Sequence, residues 1–272
     1  MKINLYSDAP YHNLALMQIS TSHKKQGDVV TFNMPIMPCD LSYASILFEK
    51  NKQLFFADVY GGPAFEDSFF QTKAKPDYSL FPIDYSLGYT FRPCFRKCPF
   101  CKVWKMRHPD TEHHSIWEFH DSKFKKICLL NNNTFFDKQW RETFEEIWDS
   151  DLFVVDQNGY DLRLMDEERA LALKKTKFDG KIHYAWDRIE DETKILEGLK
   201  IAPKGTVYVL IGYDTTIEAD IYRVQKIVDY GFDPYIMPYH QNRQEKRFKR
   251  FIDSFMWRKY KTIQEAWANY KT

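Results

Sequence analysis

The apolar and polar positions of residues 85–240 alternate between short β-rich runs and longer helical patterns. The β-rich runs occupy 86–91, 126–130, 152–156, 181–185, 206–211 and 234–238. The helical patterns occupy 136–150, 165–178, 191–200 and 216–231. Alternation of this kind is typical of parallel strands joined by right-handed crossovers. Six such units predict an α/β fold built as a partial (β/α)6 barrel.

The first 84 residues predict a small α/β domain of their own. Strands are indicated at 3–7, 28–33 and 53–60, and helices at 12–27 and 41–51. A connector containing two prolines follows, and we place the domain boundary near Asp84. Three regions are therefore expected: the small domain at 1–84, the barrel at 85–240 and a C-terminal segment at 241–272.

The C-terminal segment predicts a basic amphipathic helix. It carries nine Lys and Arg residues against three acidic ones, a local excess of six positive charges. Its apolar residues recur at helical spacing: Phe248, Phe251, Ile252, Phe255 and Met256. Two interpretations stay open. The basic face is either the solvated side of a closing helix or an electrostatic surface for nucleic acid.

Composition restricts the class of protein. The 272 residues are 44% hydrophobic and 28% charged, with a formal net charge of +1, which describes an aromatic-rich globular protein. Any surface that binds a polyanion must therefore be local. The N-terminus lacks the pattern of a signal peptide, and no run approaches the roughly 20 apolar residues that span a bilayer. We expect a cytoplasmic protein with no membrane partner.

Three of the five cysteines lie close together in the stretch RPCFRKCPFCKVW, residues 92–104. Cys94, Cys98 and Cys101 follow the first predicted barrel strand directly. Three thiolates on one loop can hold three irons of a 4Fe-4S cluster and leave the fourth iron for another ligand. Zinc bound by the same cysteines with His108, His113 or His114 is an alternative. An electron carrier is disfavoured, because carriers usually close their clusters with four protein ligands.

The cysteine spacing, with Phe100 just before the last cysteine and the β/α pattern around it, resembles the radical S-adenosylmethionine (SAM) enzymes over residues 85–240. The resemblance implies a 4Fe-4S cluster whose open iron binds SAM. An electron from a donor such as flavodoxin or ferredoxin then splits SAM and yields a 5′-deoxyadenosyl radical. An oxygen-sensitive enzyme is expected, with substrate and reaction subtype open and nucleic acid as one candidate. The alternative is a zinc-stabilised nucleic-acid-binding module without catalysis.

In barrels of this type the chemistry lies at the carboxyl ends of the strands. The candidate catalytic residues there are Asp161, Asp187 and His240. The resemblance also implies a set of residues that contact SAM: Phe100, Asn131, Asn132, Asn133, Gln157, Arg163, Ile211, Gly212 and Asp214. The three asparagines stand where the family usually has a Gly-Gly-Glu-like stretch.

The N-terminal region is similar, in its position and in its helix at NLALMQIS, to the cobalamin-binding-like domain that precedes the barrel in some radical SAM proteins. A cobalamin ligand would be expected in an Asp-x-His-x-x-Gly loop. The stretch SDAPYHNL does not contain that pattern. We therefore expect a domain of this kind without bound cobalamin.

Overall fold

The chain folds as two units of mixed α/β structure, Met1–Asn132 and Asn133–Thr272. The computed structural model describes residues 1–65, 73–105 and 110–270. No helix in these described stretches has the length and apolar character that crossing a bilayer requires. The domain boundary near Asp84 stays a prediction.

A parallel sheet with the strand order β2-β1-β3-β4 opens the first unit. Its strands are β1 (Lys2–Ser7), β2 (Val29–Phe32), β3 (Leu41–Ser45) and β4 (Val59–Gly61). The helix α1 (Leu14–Lys25) begins at the cap residue Asn13, whose side chain accepts a hydrogen bond from the backbone N–H of Leu16. Leu16 packs with Ile3 and Leu5 in a small apolar core. The predicted strand-helix-strand order of this region is confirmed.

The helix predicted at 41–51 is wrong. The first part of that stretch is β3, which pairs with β1, and only Glu49–Asn51 forms a short 3-10 turn. The carboxylate of Asp8 accepts hydrogen bonds from the backbone N–H groups of Leu47 (2.7 Å) and Phe48 (3.1 Å). Because a distant carboxylate binds these N–H groups, the local apolar pattern does not continue as a helix.

Two further parallel strands of the first unit lie beside the cysteine loop, β5 (Ser86–Gly88) and β6 (Lys126–Leu129). The ring of Phe119 covers Gly88 so closely that a Cβ atom at position 88 would overlap it. The hydroxyl of Tyr78 accepts a hydrogen bond from the N–H of Leu87 (3.1 Å) and donates one to the carbonyl of Phe119 (2.8 Å). These contacts fix the end of β5 from which the cysteine loop departs.

The second unit repeats the alternation of strand and helix. Its strands are β7 (Phe153–Val154), β8 (Lys177–Phe178), β9 (His183–Ala185), β10 (Thr206–Ile211) and β11 (Asp233–Pro238). Its helices are α2 (Trp140–Asp149), α3 (Glu167–Lys175), α4 (Glu192–Ile201), α5 (Ile217–Asp229), α6 (Arg243–Asp253) and α7 (Ile263–Asn269). β7 pairs with β8, and β10 lies between β9 and β11, all in parallel.

The core of this unit lies between β10 and the helices. Val207, Val209 and Ile211 are fully buried and share a core with Val224 and Ile227 of α5. The alternate residues of β10 are only half-buried, as a period of two requires when one sheet face packs on helices. An α/β fold with parallel strands is confirmed, and the closure of these strands into a partial barrel stays a prediction.

Over residues 241–270 the C-terminal segment forms the two α-helices α6 and α7 rather than one. Phe248, Phe251 and Ile252 of α6 are buried as the apolar spacing predicts. The helix ends at Asp253, and Phe255 takes a left-handed backbone conformation with φ of 54°. The side chains of Phe255 and Met256 are therefore about half exposed, at 49% and 47%, and do not extend the apolar stripe.

Candidate functional site

The three clustered cysteines lie on the loop that follows β5, and each of them is half-buried. The backbone N–H of Cys101 donates to the carbonyl of Cys98 at 3.0 Å. The indole N–H of Trp104 donates to the same carbonyl at 2.8 Å. These two bonds fold the chain between Cys98 and Trp104 into a turn, which keeps the second and third cysteines on one short, ordered segment.

Asparagines at the end of β6 anchor the start of this loop. Asn131 is buried, and its Oδ1 accepts hydrogen bonds from the N–H groups of Thr90 (2.9 Å) and Phe91 (3.1 Å). Its Nδ2 donates to Oγ1 of Thr90 at 2.9 Å. Asn132 donates from Nδ2 to the carbonyl of Arg92 at 2.6 Å. Both side chains therefore hold the backbone just ahead of Cys94.

The donor set of the loop suits an iron-sulfur cluster. Thiolates are the usual ligands of such clusters, and hydrogen bonds to the sulfurs tune them. The backbone N–H of Val103 supplies one such bond, at 3.4 Å from Sγ of Cys101. Within the described stretches, no three His, Cys, Asp or Glu side chains are gathered closely enough to hold a metal ion.

The histidines that would complete a zinc site follow the cysteine loop in the sequence. His108 lies outside the described residues. Both ring nitrogens of His114 contact carboxylates: Nε2 lies 2.8 Å from Asp110, and Nδ1 lies 3.0 Å from Glu118. Burial lowers the pKa of His114, but the hydrogen bonds to these two carboxylates outweigh it, so the pKa is raised. A zinc ligand needs a neutral ring with one nitrogen available, which this arrangement disfavours.

In the second unit, Asn133, Asp161 and Arg163 form one network. The Asp161 carboxylate accepts hydrogen bonds from Nε (2.7 Å) and Nη2 (3.1 Å) of Arg163 and from Nδ2 of Asn133 (3.0 Å). Arg163 also donates from Nη1 to Asp191 at 2.7 Å. Burial lowers the pKa of Arg163, and its two carboxylate partners raise it further than burial lowers it. Asp161 is thus the ion-pair partner that orients Arg163 and Asn133.

Asn133 is a buried residue at the start of the second unit. The residue is 7% exposed, and its Oδ1 accepts no hydrogen bond from any residue that the structure describes. Its Nδ2 is fixed by Asp161, so the opposite amide orientation would place two oxygens together. A buried acceptor without a donor costs free energy, and a ligand with an N–H or O–H group would relieve that cost.

Asp187 follows the end of β9 in the second unit. Burial raises its pKa, against the effects of the nearby Arg163 and Arg223 guanidinium groups and of the Leu210 backbone N–H that donates to it. Its carboxyl group therefore keeps a proton to higher pH than an exposed aspartate does. Such a group can donate a hydrogen bond or a proton to a bound molecule.

A buried ion pair on α5 was not identified from the sequence. Arg223 is fully buried, and it donates to the carbonyls of Trp186 (2.8 Å) and Leu210 (2.6 Å) and to Asp220 (2.5 Å). Asp220 in turn accepts from the backbone N–H of Gly212 at 3.1 Å. The signal was present, because both residues stand at helical spacing with the apolar residues Val224 and Ile227. Through these hydrogen bonds the pair holds α5 against the ends of β9 and β10.

The remaining candidates of the second unit lie in different surroundings. The side chain of Ile211, the last residue of β10, is fully buried in the core, so only its backbone can face a ligand. Gly212 has φ of 76°, and Asp214 is exposed with φ of 52°. Gln157 is exposed, and the exposed His240 packs its ring edge-on against Tyr239 at a centroid distance of 4.8 Å. Their roles stay predictions.

The candidate residues thus fall into one set in each unit. The first unit holds the cysteines with Phe100, Asn131 and Asn132, and the second holds the others. No protein-family model matches this chain, and no curated protein matches it either.

Proposed function

We propose that this protein is a radical SAM enzyme. The observation that carries the proposal is the loop of Cys94, Cys98 and Cys101, which departs from a parallel strand and is anchored by Asn131 and Asn132 from the next strand. Three thiols on one anchored loop match the ligand set of a cluster with one open iron.

In this proposal the cysteines hold the 4Fe-4S cluster through their thiolates. The cluster and SAM supply the one-electron cleavage and the hydrogen-abstracting radical. The protein's own work is to keep the loop in place and to donate hydrogen bonds to the sulfurs, as the Val103 N–H does at Cys101. The electron comes from an external one-electron donor such as flavodoxin or ferredoxin.

The second unit offers polar groups that suit SAM and substrate. The unused Oδ1 of Asn133 suits the ammonium group of SAM, since that group carries the donor which this oxygen lacks among the described residues. Arg163 stays a candidate contact for SAM, and its guanidinium is held in a fixed direction by Asp161 and Asp191. Asp187 is our candidate for a proton donor, since burial raises its pKa. His240 stays a candidate acid or base.

Anaerobic purification and cluster reconstitution test the proposal. We expect about four iron and four sulfide per chain, and conversion of SAM to methionine and 5′-deoxyadenosine when a strong reductant is added. Cys94→Ala, Cys98→Ala and Cys101→Ala should each abolish SAM cleavage. Cys39→Ala is the matched control, because Cys39 is also half-buried but lies far along the chain from the loop.

Other results would identify the alternatives. One zinc per chain without iron, and no SAM cleavage, would overturn the proposal in favour of the zinc-stabilised module. A cluster that forms and is reduced without cleaving SAM would indicate an electron carrier. Equal loss of cleavage in the Cys39→Ala variant would show that the loop cysteines have no special role.

A further inference from the structure

An exposed row of side chains runs along β11, the edge strand of its sheet. Tyr235, Met237 and Tyr239 follow one another at a period of two and are 43%, 45% and 42% exposed. The alternate residues Pro234 and Ile236 are buried. Large apolar side chains that stay exposed on one face of a strand commonly mark a binding surface.

The same face continues across the neighbouring strands with rings in contact. Tyr208 of β10 stands directly opposite Tyr235, with ring centroids 5.5 Å apart. His183 of β9 stacks on Tyr208 at 5.0 Å with an interplanar angle of 6°. The rings of three adjacent strands thus form a continuous aromatic surface that Tyr239 extends past the end of β11.

Positive charge borders this surface along α6. The Lys249 ammonium lies 4.0 Å from the ring centroid of Tyr235, which places that flank of α6 beside the exposed row. Lys246 stands one helical turn earlier on the same flank. Arg243 and Arg250 continue the basic stripe over the outer side of the helix, where both are exposed.

Lys249 pairs with Asp253 at 3.0 Å, but the rest of this stripe has no carboxylate partner in the part of the chain that the structure describes. Arg243, Lys246 and Arg250 form no ion pair with any residue in the described ranges. Some other exposed cations of the unit do: Lys177 pairs with Asp151, and Lys181 pairs with Asp233. Three adjacent cations without carboxylates favour an anionic partner whose charges are regularly spaced.

We infer that this surface binds single-stranded nucleic acid. Exposed rings offer stacking to unpaired bases, while the adjacent lysines and arginines contact the phosphates. A duplex would keep its bases away from the rings, and an acidic peptide would use the charges but not the rings. The binding itself does not require the proposed chemistry; that the bound strand is also the substrate rests on the proposed function.

Fluorescence anisotropy with a labelled 12-nucleotide oligouridine tests the inference on the full chain, without cluster or SAM. Three to four phosphate contacts predict an affinity that falls about 20- to 50-fold between 50 and 200 mM salt. Replacing Arg243, Lys246 and Arg250 together by Gln should weaken binding and flatten this dependence. Tyr235→Ala with Tyr239→Ala should weaken binding about tenfold or more with the salt dependence kept.

The matched control replaces three exposed lysines elsewhere in the unit, Lys174, Lys194 and Lys200, by Gln, which removes the same charge. It should bind as the natural protein does. Far-UV circular dichroism checks that every variant is folded. Equal weakening in the control, no effect of the tyrosine substitutions, or equal competition by a duplex or by polyglutamate would each overturn the inference. A DNA strand of matched sequence shows whether the sugar matters.

These outcomes are separate from those of the enzyme proposal. A protein that binds the strand but does not cleave SAM retains the binding surface and loses the proposed function. A protein that cleaves SAM but does not bind the strand retains the enzyme and overturns this inference.

Discussion

The carboxylate of Glu245 fills the space beside Gly212 that a side chain at position 212 would need. A Cβ atom at position 212 would overlap Oε1 of Glu245. The carboxylate is held there by the side chain of Asn242 (2.6 Å) and by the backbone N–H of Gln241 (2.9 Å). Gly212 is thus required by the packing of α6 on the end of β10, whatever its role toward a cofactor.

We expect Gly212→Ala to destabilise the protein by about 2–4 kcal/mol, from the left-handed backbone and from the displaced carboxylate. Gly231→Ala is a close control. Gly231 has the same φ of 76°, but a Cβ there would meet only the flexible end of Lys204 at 3.7 Å. That control should cost about 1 kcal/mol. Urea unfolding measures both, and equal losses would show that Glu245 adjusts freely.

The strands whose first and last residues were predicted best are those set by the local alternation of apolar and polar residues. The predicted run at 206–211 is β10 residue for residue, and the run at 234–238 is β11 less its first residue. Both alternate buried residues with more exposed ones. The run at 86–91 ends as a strand at Gly88, because the backbone N–H groups of Thr90 and Phe91 bind the side chain of Asn131. A partner 40 residues away leaves no local signal.

In the candidate site, too, local motifs were predicted correctly and features that depend on distant partners were not. The cysteine spacing is a local motif, and its place after a parallel strand was predicted correctly. The run at 152–156 was predicted too long, since β7 ends at Val154. The carboxylate of Asp156 instead accepts hydrogen bonds from the N–H groups of Gly159 (3.1 Å) and His183 (2.7 Å). The buried Asp220–Arg223 pair was not predicted, because the burial of Arg223 depends on its contacts with the distant carbonyls of Trp186 and Leu210.

Removing one member of that buried pair should be costly. We expect Asp220→Ala to lower the free energy of unfolding by about 3–5 kcal/mol, because the fully buried Arg223 guanidinium would lose its counter-ion. Asp229→Ala on the same helix is the control. Asp229 is exposed and, among the described residues, accepts only from Gln225 at 2.7 Å, so its loss should cost less than about 1 kcal/mol. Denaturant unfolding compares the two, and similar losses would contradict this account.

His114 should make stability depend on pH in a known direction. Its pKa is raised from the ordinary value of 6.5, since the carboxylates of Asp110 and Glu118 outweigh burial. The folded protein therefore binds the proton more tightly than the unfolded chain. The stability that His114 contributes is complete below pH 6.5 and is lost as the pH rises through the raised pKa.

The His114→Gln variant checks this sign. We expect it to lose stability at pH 6 and to approach the natural protein at pH 9, as measured by urea midpoints across that range. His12 supplies the opposite case, because burial lowers its pKa. The contribution of His12 should therefore improve as the pH rises. A loss in His114→Gln that is the same at both pH values would show that the ring contributes only by packing.

The hydrogen bonds of Asn131 should matter more to cluster binding than to folding of the protein. Asn131→Ala removes the acceptor of two backbone N–H groups and the donor to Thr90, so the start of the cysteine loop loses its anchor. We expect reconstituted iron per chain to fall at least twofold. Thr90→Val removes only the hydroxyl and should retain more iron, while Asn269→Ala, at an exposed position of α7, should retain all of it. Iron analysis is read together with thermal unfolding, because a variant that keeps its melting temperature and loses iron isolates the anchoring role. Full iron retention in a folded Asn131→Ala protein would show that the loop holds its shape without the strand-end asparagine.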